Sequence, residues 1–97
     1  MAQTVNEVLT AATDSVTVIN DINSKGKASD HVTASDPSAE VTQADANAAV
    51  KRNVDHLTLI LAYDGTSDTP NVKDASDNKS SYTTAISTGN TYISNNS

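Results

Sequence analysis

The chain has 97 residues, no cysteine, and twelve acidic against six basic side chains, for a net charge of −6. That length is one small domain, and the missing cysteines exclude disulfides, thiolate nucleophiles and Cys-based zinc sites. The acidity disfavours nucleic-acid binding through a basic face and docking on an anionic membrane surface, while it suits a basic protein partner.

The material for a core is thin. Ile, Leu and Val together number 18 of 97 and Phe is absent, just under the roughly 20% below which chains tend to disorder. Ser, Thr, Asn and Asp number 45. These residues compete with the helix for backbone hydrogen bonds, so local propensity contributes little and packing must supply the order. The opening Met1–Leu9 stretch has no basic region before an apolar run and is not read as a secretory signal. The longest apolar run, Leu59 to Tyr63, is far short of the roughly 20 residues that span a bilayer.

The first predicted element is a helix over about residues 4–24. Thr4 and Glu7 have capping-box spacing. Val5, Val8, Leu9, Ala12, Val16, Ile19 and Ile22 recur at threes and fours, which places them on one helical face. Lys25 and Gly26 close it, a cation near the negative helix end and a glycine for a left-handed cap. Residues 26–41 read as a polar linker. Val32 and Val41 are its candidate anchors, and the Ala-Ser-Asp at 28–30 and 34–36 is compositional coincidence. Asp36-Pro37 has the form of an N-cap and first helical residue, so the next helix has two candidate starts, Pro37 and Thr42.

The second helix, about 42–63, has the best propensity in the chain through Ala44, Ala46, Ala48 and Ala49. Its apolar face is Ala46, Val50, Val54, Leu57 and Leu61, flanked by Ala49 and Ile60. The run 57–61 alternates enough to pass for a strand; the alanine-rich lead-in favours helix. Asp64-Gly65 ends it, and residues 64–80 form a second polar loop. The last element, about 81–95, is helix or strand. Tyr82, Ala85, Ile86, Gly89, Tyr92 and Ile93 make a helical stripe, whereas Tyr, Thr and Ile suit strands and Gly89 weakens a helix by about 1 kcal/mol. The expected fold is all-α: a small bundle built on an antiparallel helical hairpin, with a third C-terminal element and two long polar loops. Ala12, Ala46, Ala49 and Gly89 allow close helix approach.

Candidate chemistry is sparse. Asp55-His56 has the form of a base oriented by a carboxylate, yet its place beside Val54 and Leu57 puts it on the solvated side of the second helix. No His-x-x-x-His pair exists, and His31 falls in the polar linker. Residues 64–68 and 74–78 are Asp-rich without the spacing or closing Glu of a calcium loop. Three glycines cannot build a phosphate cradle. Tyr63, Tyr82 and Tyr92 suit helix-end or interface anchors. The expectation is therefore no catalytic, metal or cofactor site. The residues that matter are core or interface positions: Val5, Leu9, Val16, Ile19, Val50, Val54, Leu57, Leu61, Tyr82, Ile86 and Ile93.

The seam Val50 to Leu61, followed by the Thr/Ser/Asn-rich stripe Tyr82 to Ile93, resembles the style of small virion proteins of tailed bacteriophages. That resemblance implies a non-enzymatic, multicopy part of a capsid or tail. Its partners would be copies of itself and other virion proteins, and its location the virion, or otherwise the cytoplasm. The rival expectations are an acidic binding module for a basic protein, and an enzyme or metal protein built around Asp55 and His56.

Overall fold

A computed structural model describes the backbone of residues 5–62 and 79–97 and the side chains of residues 10–61 and 80–97. Three helices run in chain order: α1 (Val5–Lys25), α2 (Gln43–Ala62) and α3 (Lys79–Asn95). Each packs against the other two, and no strand occurs among the described residues. The fold is a small all-α bundle. Thr4, the loop from 64 to 78, its Asp-rich stretches and Tyr63 lie outside the described residues, as do the side chains of Val5 and Leu9.

The register follows from contacts across the seams. Ser15 in mid-α1 meets His56 late in α2 and Ile19 lies beside Val50 and Val54 across Gly89, while Gln43 at the start of α2 meets Tyr92 near the end of α3 and Val50 and Val54, farther along α2, face the earlier Gly89. Helix α2 therefore runs antiparallel to both neighbours, and α1 and α3 run parallel. The hairpin of α1 and α2 is covered by α3 along its open side.

Each helix has a local cause. Helix α1 ends where Gly26 takes a φ of 62°, the left-handed conformation for which glycine pays no Cβ penalty. A short 3₁₀ turn, Gly26–Ala28, follows. Helix α2 starts at Gln43, not at Pro37. The Thr42 hydroxyl accepts from the Asp45 amide at 3.2 Å, and the Asp45 carboxylate accepts from the Thr42 amide at 2.8 Å, a reciprocal capping box. Asp36 instead folds a tight turn, accepting from the Ser38 amide and hydroxyl at 3.0 and 2.9 Å. The run at 57–61 stays helical, and the ambiguous C-terminal element is a helix.

The core holds Ile19, Ile22, Val50, Leu57 and Tyr82 fully enclosed, with Val32, Val54, Ile60 and Tyr92 around them. Among the described residues four of the thirteen buried apolar side chains are alanines, which keeps the helices close. Gly89 sits at a close approach of the three helices: a Cβ there would lie 2.5 Å from Val54 Cγ2, 3.0 Å from Val50 Cγ1 and 3.5 Å from Ile19 Cγ2. Val32 is buried and Val41 packs against the core edge, so both anchor the linker to the bundle.

Candidate functional site

The side chains best able to do chemistry meet at the α1–α2 seam. Ser15 replaces an apolar residue on the stripe Ala12, Ile19, Ile22 and is 3% exposed. Its Oγ lies 2.8 Å from His56 Nδ1. His56 is half-buried rather than on the solvated side. It is Asp55 that faces solvent, paired with Lys51 at 3.0 Å. The carboxylate next to His56 in sequence is therefore turned away from the imidazole and does not orient it. A hydroxyl–imidazole pair with the hydroxyl buried between two helices satisfies an interior polar group.

A second set of polar contacts gathers where α1 ends, α2 begins and α3 ends. Asp45 is buried and accepts from the amides of Thr42 and Ser35, tying the linker to α2. The Thr42 amide bond, more than any other contact, holds its carboxyl below the usual range. Asp21 accepts from the Ser29 hydroxyl and pairs with Lys25 at 3.2 Å. Its carboxyl is likewise held low, first by Ser29 and then by Lys25. Gln43 Nε2 donates to Tyr92 Oη at 2.8 Å and to Asn47 Oδ1 at 3.0 Å, and Asn47 Nδ2 donates to the Asn96 carbonyl at 3.1 Å.

The expected core or interface residues are placed as follows. Ile19, Val50, Val54, Leu57 and Tyr82 are buried, and Val16, Leu61, Ile86 and Ile93 are partly buried against the core. Sequence reasoning missed Ser15 and Gln43. Ser15 left a signal, a polar residue at threes and fours within an apolar stripe. Gln43 left none, since its role depends on a tyrosine 49 positions later.

A groove opens along the other side of α1, between Thr13, Val16 and Asn20 and the first turns of α3 at Ser81, Thr84 and Ala85. It holds two hollows of about 240 and 160 Å³ that share Val16 and Ser81. Small side chains on α3 leave this space.

Among the described residues no three His, Asp or Glu side chains converge as metal ligands, and no helix is long and apolar enough to cross a membrane. Comparison with family models, with curated proteins and with solved structures returns no match for this chain.

Proposed function

We propose that this protein is a non-enzymatic structural component of a multi-subunit assembly, with a tailed-phage virion as the setting its sequence style implies. One observation carries the reading: the bundle covers its own apolar side chains incompletely. Val16, Val18, Val41, Leu61, Ile86 and Ile93 pack against the core yet remain partly exposed, and Leu59 is 70% exposed. A small domain buries a limited share of its surface on folding, and this one has few large side chains to spend. Contacts with neighbouring copies would remove those flanks from water at roughly 25 cal/mol per Å² of apolar surface.

The reading supposes a part that is stable in its assembly and marginal alone. Sedimentation of the purified chain across concentration, with thermal unfolding at each concentration, tests it. Assembly makes the unfolding temperature rise with protein concentration. A chain that stays monomeric and melts at one temperature throughout overturns the reading.

A further inference from the structure

We infer that the exposed side of the α1–α2 seam, centred on Leu59, packs against the same side of a second copy of this chain turned about a two-fold axis. The inference rests on the assembly reading above and adds where and how the copies meet.

The antiparallel register builds this face. Ser15 and His56 meet across the seam, and helical spacing places their neighbours one turn away along its outer edges. The edge of α1 carries Ala11, Asp14 and Val18, and that of α2 carries Arg52, His56 and Leu59. Ala11, Val18 and His56 are half-buried, whereas Asp14, Arg52 and Leu59 are exposed. Leu59, at 70%, is the exposed large apolar side chain among the described residues. One open leucine is ordinary on a protein surface. Here Ala11 and Val18 stand on the facing edge of α1, so the apolar surface continues across the seam, and contiguity separates a contact surface from scattered exposure.

Charge selects the occupant. Around this face Asp55 is matched by Lys51 at 3.0 Å and Asp21 by Lys25 at 3.2 Å. Asp14 and Arg52 have no ion pair among the described residues. The Ser15–His56 register sets them at opposite corners: Arg52 on α2 level with Val18, and Asp14 on α1 toward Leu59. A two-fold axis through the middle of the face exchanges these corners. Because α1 and α2 are antiparallel, α1 of the second copy then runs parallel to α2 of the first. Arg52 comes over the second copy's Asp14 and Leu59 over the second copy's Val18, and the symmetry makes each pairing twice. Arg52 and Leu59 are about 10 Å apart along α2, and Asp14 and Val18 about 6 Å apart along α1. The flexible Arg side chain spans that difference. An acidic partner would match Arg52 and repel Asp14, and a basic partner would do the reverse; a second copy matches both. Burial of Leu59 drives the contact, and the charges fix its orientation.

Size is consistent with such a contact. Helices of 21 and 20 residues are about 30 Å long, and two helices packed 8–10 Å apart are roughly 20 Å across. The face is then on the order of 600 Å² per copy, or about 1,200 Å² for the pair, where specific interfaces begin.

Sedimentation equilibrium of the full chain tests the assignment, with circular-dichroism melts at low concentration as the check on folding. Leu59→Ser should weaken self-association at least tenfold and leave the melt unchanged, since the side chain is exposed. Arg52→Asp and Asp14→Arg should each weaken it at least tenfold by setting like charges opposite one another. Asp14→Arg does so although it brings the net charge closer to zero, so general repulsion does not account for the loss. An equimolar mixture of these two variants should associate within about threefold of wild type, because each then meets its opposite charge at both corners. Thr84→Glu, on the exposed side of α3, should leave association within about twofold. Wild-type association that survives Leu59→Ser, or a mixture that recovers nothing, overturns the face and leaves the assembly reading standing. A wild-type chain monomeric at every concentration overturns both. A monomeric chain that takes up polylysine, more tightly after Arg52→Asp, assigns the face to a basic partner and likewise overturns the proposal.

Discussion

Helix α3 carries two buried tyrosines ten residues apart, and the two ends of the bundle treat them oppositely. Tyr92 sits where α1 ends and α2 begins, and its hydroxyl accepts from Gln43 at 2.8 Å. Tyr82 sits at the other end, 1% exposed, and its hydroxyl finds no hydrogen-bond partner among the described residues. Around Tyr92 the bundle is laced by Asp21–Ser29, Asp45–Thr42, Asp45–Ser35 and Asn47–Asn96. Tyr82 belongs to the apolar cluster that also holds Ala12, Leu57, Ile60 and Ala85, and Ser15–His56 is a polar contact between α1 and α2. A chain so rich in Ser, Thr, Asn and Asp thus spends part of that polarity as connectors at one end, where three termini and a linker leave many backbone groups to satisfy. Among the described residues the other half is closed by apolar burial and the Ser15–His56 contact.

The largest effect should come from attacking the apolar end. Leu57→Ala removes a side chain with no exposure and should cost about 2–5 kcal/mol by urea unfolding, transfer and cavity terms together. For a domain this small that is enough to unfold much of the population at 25 °C. An effect below about 1 kcal/mol would mean that burial does not close this end.

Gly89 lies between the two ends and sets how near the helices come. Gly89→Ala gains up to about 1 kcal/mol of helix propensity. The new Cβ, however, meets two valine methyls at 2.5 and 3.0 Å. Those methyls belong to β-branched side chains with little rotamer freedom in a helix, so the helices themselves must separate. Overpacking of that kind costs about 1–3 kcal/mol, and the expected net is a loss of about 1 kcal/mol. A thermal melt that rises instead would show that the three helices are held farther apart than Val50, Val54 and Ile19 indicate.

How much of this was legible in the sequence depends on the reach of the interaction. The three stripes were readable because helical periodicity is local, and the left-handed cap at Gly26 was readable because it needs only one residue type. The start of α2 was legible in principle, since Thr42 and Asp45 stand three apart as a capping box requires. Asp36-Pro37 competed with it and turned out to close a turn with Ser38. The helical state of α3 was favoured by its apolar stripe but not fixed by its own residues. Strand formers fill it, and tertiary packing of Tyr82, Ala85, Gly89 and Tyr92 against two other helices decides the outcome. The placement of His56 was misread for a related reason. Its helical position is a flank, and whether a flank is wet depends on what the neighbouring helix offers, here Ser15.

The two tyrosines give the sharpest contrast because the same change should act with opposite sign. Tyr92→Phe removes the acceptor of the Gln43 bond and should cost about 0.5–1.5 kcal/mol. Gln43 keeps its bond to Asn47, which holds the loss to the lower part of that range. Tyr82→Phe removes a buried hydroxyl whose desolvation is uncompensated, and should stabilise by up to about 1 kcal/mol. Equal losses in the two variants would erase the distinction between the ends.

The smallest effect should be acid sensitivity confined to the polar end. The Asp45 carboxyl titrates below its ordinary value of 3.8 because the Thr42 and Ser35 amides favour its charged form. A carboxyl depressed on folding contributes stability that is fully present above that ordinary value and lost as the pH falls through the folded one. Asp21 and Asp36 are shifted in the same direction, so the wild-type chain should weaken as the pH drops below about 4. Asp45→Asn isolates one contribution, since its amide oxygen still accepts but carries no charge. The wild-type advantage over this variant should be present at pH 7 and fade as the pH falls below the ordinary carboxyl value of 3.8 toward the lower folded one. Amide exchange should quicken first at residues 42–46 and around Tyr92, while the amides near Leu57 stay protected. Acid that loosens both ends together would show that the connectors and the apolar closure form a single cooperative unit.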